Sequence, residues 1–264
     1  MVSIIPVLAA GVIDEEMIER SLAITKRFSQ LFERKGLQRE TLAGAGLLRG
    51  EPGQQRLLLS AVDPKRLQRL LARLFDEGEF LSPYGLRSIS AFHRDHPYEL
   101  RLGALRSTVD YEPAESTTGM FGGNSNWRGP VWFPLNYLVI SALEGYYRFF
   151  GDDLEIEYPT DSGSRLPLDQ IAADLRRRLI SIFLVGADGR RPCFGGVERL
   201  QRDPAWKDNL LFNEYFHGDS GAGLGASHQT GWTGVVADAI RRRYSAVPSL
   251  RDVLRQVSTA RPRL

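Results

Sequence analysis

Apolar positions along the chain fall mostly at helical spacing, in blocks separated by long glycine- and proline-rich connections. Ile18, Leu22, Phe28, Leu31 and Phe32 predict a helix that Asp14 caps and that runs to about Arg34. Asp63-Pro64 reads as an N-cap followed by proline at the first helical position, with Leu67, Leu70, Leu71 and Leu74 as the apolar face. Pro134 to Phe149 predicts a helix ending at Gly151, and Leu168 to Leu184 an amphipathic helix with Arg176, Arg177 and Arg178 on its polar face. Thr230 or Thr233 caps a last helix to about Tyr244.

Strand signals are short and few. Gln54 to Ser60 reads as a strand, Leu86 to Phe92 as one or two helical turns, and Tyr98–Leu102 with Leu105–Tyr111 as a hairpin around Gly103. Residues 152–164 read as a loop. The stretch from Glu112 to Pro130 has four glycines, two prolines and no period, and its aromatic content argues against disorder. Helical hairpins with long loops collected at one end predict a mainly α fold, an (α/α)6-type toroid with short β-hairpins in the loops. Residues 1–245 form its catalytic-domain part and residues 246–264 a tail.

Composition narrows the functional classes. The 264 residues are 42% hydrophobic and 25% charged, ordinary for a globular protein. A net charge of +2 is too small to argue for nucleic acid or an anionic membrane, and neither is expected as a partner. The apolar N-terminus lacks the basic flank of a leader and the 131–150 run is interrupted by polar residues, so a cytoplasmic protein without a membrane span is expected. The single cysteine, Cys193, is expected to be a buried thiol.

Candidate chemistry concentrates in Phe212 to Trp232, FNEYFHGDSGAGLGASHQTGW. Glu214 stands among aromatic residues ahead of a glycine loop. A carboxylate supplies base chemistry, aromatic faces suit the C–H faces of a sugar ring, and glycines let backbone approach a ligand. A surface glutamate at a helix end is the bland alternative. In Gly122 to Asn136, Trp127 and Trp132 form a candidate stacking floor, with Asn124, Asn126 and Arg128 as hydroxyl-binding groups. The competing reading is a loop whose tryptophans plug the core. Tyr84 and Arg87 are candidate lining residues, and His217 and His228 flank the glycine loop. Asp110, Glu112 and Glu115 form an acidic cluster that offers a second carboxylate or a place for a cation, although solvated loop charges are the commoner explanation. His93 and His96 have metal-compatible spacing but no third ligand, so no metal is expected. The absence of a Walker loop, a G-x-S-x-G elbow and a Rossmann fingerprint argues for no cofactor.

At these residues the chain resembles glycoside hydrolase family 63, the processing α-glucosidases and mannosylglycerate-hydrolase-like enzymes. The strings that carry the resemblance are EFLSPYGLRSIS, HPYEL, VDYEPAESTTGMFGGNSNWRGPVWFPLNYL, DGRRPCFGG and FNEYFHGDSGAGLGASHQTGWTG. It implies an (α/α)6-type toroid and inverting hydrolysis of an α-glycosidic bond by water. It also implies Glu214 as general base and Trp127, Arg128 and Gly129 beside the sugar subsite. Tyr84, Arg87, Asn126, Trp132, His217 and Trp232 complete the expected substrate-binding set, with an oligosaccharide or glycoside as substrate. The family's general acid is an aspartate in a preceding half, and no matching motif occurs here. The chain is therefore expected to be the C-terminal part of such an enzyme, nearly inactive alone, with a separate N-terminal half as possible partner. A non-catalytic carbohydrate- or partner-binding module is the alternative.

Overall fold

The computed structural model describes residues 4–15, 26, 30, 34, 39–51, 53–117 and 127–244. Most of the helix expected from Asp14 to Arg34, Asn124, Asn126 and the tail lie outside these residues. Asp14 itself closes a strand, Ala10–Asp14, and pairs with Arg148 and Arg56.

Two helices form the centre. Phe133–Phe150 starts with Pro134 in its first turn and stops at Gly151, whose φ of 60° suits a residue without a Cβ. Leu168–Ser181 packs against it through Leu168, Ile171, Ala172, Leu175 and Leu179, spaced to share one face. Each such leucine contributes about 1.5–3 kcal/mol by leaving water. Pro64–Leu74 inserts Leu67, Leu71 and Leu74, and the Asp63 carboxylate caps it by accepting from the Arg66 amide at 2.9 Å. Val236–Tyr244 packs against Leu168–Ser181 and also reaches Phe133–Phe150, where Asp238 accepts from the Tyr137 hydroxyl and Arg242 pairs with Glu144.

The expected mainly α toroid is not what forms. Among the described residues helix makes up 40% and strand 19%, with five small sheets, so the fold is mixed α and β. Connections that lack a helical period are long enough to fold back on themselves. Glycine turns let them pair as two-stranded ribbons. Ala10–Asp14 and Leu48–Arg49 flank Arg56–Ser60 in a three-stranded sheet. Glu155–Glu157 pairs with Arg165–Pro167 where a loop was expected. The predicted Tyr98–Leu102 hairpin forms with Leu105–Val109. The segment read as turns from Leu86 instead carries the strand Gly85–Leu86, with a 3-10 turn only at Ala91–Arg94. The last helix is split into Thr230–Thr233 and Val236–Tyr244.

Three segments far apart in sequence run side by side above the helix pair. Arg87 bridges Val131, and Val131 bridges Phe216, both antiparallel. Val131 and Phe216 exchange backbone hydrogen bonds at 2.8 and 3.0 Å. Fully buried Asn136 ties this layer down: its Oδ1 accepts from the Leu86 amide at 2.7 Å while its Nδ2 donates to the Leu86 and Trp132 carbonyls.

Candidate active site

The site is built on a small hairpin, Tyr215–Phe216 paired with Gly223–Leu224, whose tip spans residues 217–222. Strand alternation splits its two side chains. Phe216 enters the core against Phe133 and Phe183, and Tyr215 faces an aromatic group. The Tyr215 ring stacks on Trp132 with centroids 4.8 Å apart, Trp132 stacks on Trp127 at 4.3 Å and 3°, and Trp232 meets Trp132 edge-on at 6.0 Å. Three of the predicted aromatic residues thus converge. Trp132 is 3% exposed and serves the core, Trp127 is half-buried, and Trp232 is 39% exposed.

Glu214 precedes this hairpin and is half-buried. Its backbone amide donates to the Ala226 carbonyl at 2.9 Å, and its Oε2 accepts from the Ala226 amide at 3.3 Å. Gly225 makes this possible. At φ 67° a Cβ there would lie 2.6 Å from Tyr215 Cε1 and 2.9 Å from Glu214 Oε2. Buried Asn213 and Thr233 hold the other side, the Thr233 hydroxyl donating to the Asn213 carbonyl. His228 bridges Phe212 in parallel.

At the hairpin tip the arrangement changes. Arg87, 7% exposed, donates through Nε and Nη2 to Asp219 Oδ1 at 3.3 and 3.1 Å, and through Nε to Tyr111 Oη. Its Nη1 reaches the carbonyls of Glu77, Glu79 and Leu81. Arg94 pairs with the other oxygen of Asp219 at 2.8 Å, and Tyr111 donates to Asp219 at 2.8 Å. Burial pushes the Tyr111 hydroxyl well above the usual phenol range; Arg87 opposes this and the bond to Asp219 adds to it. His217 is half-buried, with Nδ1 accepting from the amides of Asp219 and Ser220 at 3.1 and 3.3 Å. These donors require a lone pair on Nδ1. Burial accordingly lowers the His217 pKa, with the Asp219 charge pulling the other way. The Tyr84 ring covers Gly221, where a Cβ would lie 2.8 Å from Cδ1, and lines an open cleft of about 370 Å³ with Arg190, Ser220 and Ala222. Tyr84, Arg87 and His217 are therefore gathered at the tip, while Glu214 and the tryptophans sit at the base.

Arg128 is buried at 2% exposure, with Nη1 2.8 Å from Asp110 and Nη2 3.0 Å from Glu112 and Ser116. Gly129 leaves no room for a side chain, since a Cβ would lie 2.6 Å from the Glu112 carbonyl. Asp110 and Glu112 are thus ion-pair partners, and Glu115 reaches the hairpin base. The sequence pattern did not single out Asp219 or Tyr111. Two arginines flanked by glycine-rich turns were the available signal, since a buried guanidinium needs carboxylate or carbonyl partners. His93 and His96 each direct Nδ1 to a backbone carbonyl. No group of three metal-ligating side chains occurs among the described residues. Cys193 is buried, and burial pushes its thiol up to about 11. No helix among the described residues is long and apolar enough to cross a membrane.

The profile of the family described as the Mannosylglycerate hydrolase MGH1-like glycoside hydrolase domain matches residues 49–233. That range holds the hairpin, the aromatic stack and both buried arginines. An uncharacterized protein of Saccharomyces cerevisiae is 41% identical over 246 residues, 90% of this chain and 22% of that protein. A probable mannosyl-oligosaccharide glucosidase of Schizosaccharomyces pombe is 24% identical over 70% of this chain and 16% of its own length. A mannosyl-oligosaccharide glucosidase of Saccharomyces cerevisiae is 23% identical over 67% of this chain and 15% of its own. The chain thus spans about a fifth or less of the length of these relatives.

Proposed function

The chain belongs to the MGH1-like glycoside hydrolases, and from that premise we propose that Glu214 is the general base of an inverting α-glycosidase acting on an oligosaccharide or glycoside. The observation that carries this reading is the setting of its carboxylate. It is half-buried and held by a neutral amide, and the next residue opens a stack of aromatic rings. A carboxylate accepts through both oxygens, so the hydrogen bond from Ala226 leaves lone pairs for a water. Water loses a proton to Glu214 as its oxygen bonds to the anomeric carbon. On the opposite face the glycosidic C–O bond breaks, and the leaving oxygen takes a proton from an acid. Trp127 and Trp232 offer ring faces and edges to the sugar. Asp110 and Glu112, paired with buried Arg128, serve as anchors rather than as that acid. The acid is assigned to residues outside this chain, in a preceding half that completes the enzyme.

The test uses the chain alone and co-expressed with an acid-bearing half. Calorimetry with α-linked glucosides and mannosylglycerate measures binding, and release of reducing sugar measures turnover. Glu214→Gln should lower kcat by about 10²–10⁴-fold in the complemented enzyme with affinity little changed. Turnover unaffected by that substitution refutes the assignment. Oligosaccharide binding without hydrolysis in any combination would instead make the chain a carbohydrate-binding module, for which the exposed Trp232 offers a contact surface.

A further inference from the structure

We propose that Glu115 is a positioning residue for Glu214, acting through the Gly225–Ala226 turn; this rests on the reading of Glu214 given above. The Glu115 carboxylate crosses from the 110–117 segment to the base of the hairpin. Its Oε2 accepts from the hydroxyl of Tyr215 at 2.6 Å, and its Oε1 accepts from the Gly225 amide at 3.3 Å. The next amide, that of Ala226, donates to Glu214 Oε2 at 3.3 Å. Two carboxylates therefore occupy successive N–H groups of one turn, whose nitrogens lie within about 4 Å of each other. A residue with positive φ turns neighbouring amides toward a common anion-binding side, and Gly225 at φ 67° does this here.

The 110–117 segment is fixed where it can deliver Glu115. Asp110 and Glu112 grip buried Arg128 at 2.8 and 3.0 Å. The Glu112 amide donates to the Arg128 carbonyl, and the Pro113 carbonyl accepts from Gly218. Tyr215 is 1% exposed and needs a partner for its hydroxyl, which alone would explain one contact. The Gly225 contact is the one that reaches the base, because the peptide plane following Gly225 carries the amide that orients Glu214.

Amide spectra of the ¹⁵N-labelled chain test this without any substrate. In Glu115→Ala, the Gly225 amide proton should move upfield of its wild-type position, and Ala226 should shift with it, while Leu86, held by Asn136, stays in place. Glu115→Gln keeps a weaker, uncharged acceptor in the same position. It should leave Ala226 near its wild-type position and move Gly225 only part of the way upfield, and it decides the matter if the alanine variant does not fold. In the complemented enzyme, Glu115→Ala should lower kcat about tenfold with KM within about twofold, and Gln should restore most of it. A Gly225 amide unmoved by Glu115→Gln, or an Ala226 amide unmoved by Glu115→Ala, overturns the proposal. Failure of the base assignment would show separately, as turnover indifferent to Glu214→Gln.

Discussion

The base and the tip of the Tyr215–Leu224 hairpin hold negative charge in opposite ways. At the tip, Asp219 is gripped by Arg87, Arg94 and Tyr111, and buried Arg87 is committed to three carbonyls as well. Each nitrogen of the Arg87 guanidinium is directed at a protein acceptor, which fastens these segments together. At the base, Glu214 is held through a backbone amide and keeps acceptor capacity on a partly exposed surface beside aromatic rings. A carboxylate between guanidiniums fastens segments together, whereas one aligned by amides is oriented and still able to take a proton. The same short element thus separates holding from acting.

Substitutions at the two ends should separate the same way. Glu214→Gln is expected to have the largest effect, about 10²–10⁴-fold on kcat in the complemented enzyme, with a urea midpoint close to wild type. Arg87→Met should instead destabilise by about 3 kcal/mol in urea melts, because it strips Asp219 and three carbonyls of a buried donor. The Asp219 side chain is about a third exposed (32%), which keeps the loss at the low end for a buried pair. If Arg87→Met abolished turnover at unchanged stability, the division between the ends would fail. Gly225→Ala should combine both effects. A side chain at φ 67° and 2.6 Å from Tyr215 Cε1 costs about 1–3 kcal/mol, and it should displace Glu214 and lower kcat.

The smallest expected effect is acid loosening of the tip. His217 has its folded pKa below the ordinary 6.5, so the native state favours neutral imidazole. Its contribution is present above that value and is lost as pH falls from about 6.5 toward the lower folded value. Hydrogen exchange at the Asp219 and Ser220 amides, corrected for intrinsic pH dependence, should quicken on acidification, with the Gly225 and Ala226 amides unaffected over the same window. Equal quickening at both ends would contradict the separation.

Local features were legible in the residues. The Asp63 cap, the 98–109 hairpin and the two central helices follow from spacing, turn chemistry and caps, because neighbours in sequence settle them. The aromatic content of the site was legible as composition. The mixed α and β architecture was not. Two- and three-residue strands such as Glu155–Glu157 are too short to show a period, and they are stable only where a second strand and a helix face receive them. Arg87 and Arg128 illustrate a further limit. Their types suggest ligand binding as readily as burial, and their neighbours do not reveal which.

The sequence by itself determined where chain segments turn, which faces are apolar and that Glu214 lies among aromatic residues near a glycine loop. Only the tertiary structure decided which partner each charged group meets. Arg87 meets Asp219 across 132 positions and Glu115 meets Gly225 across 110. Such pairings depend on separations of a few ångströms set by packing of the whole core, and Coulomb and hydrogen-bond energies fall too steeply with distance for local pattern to encode them.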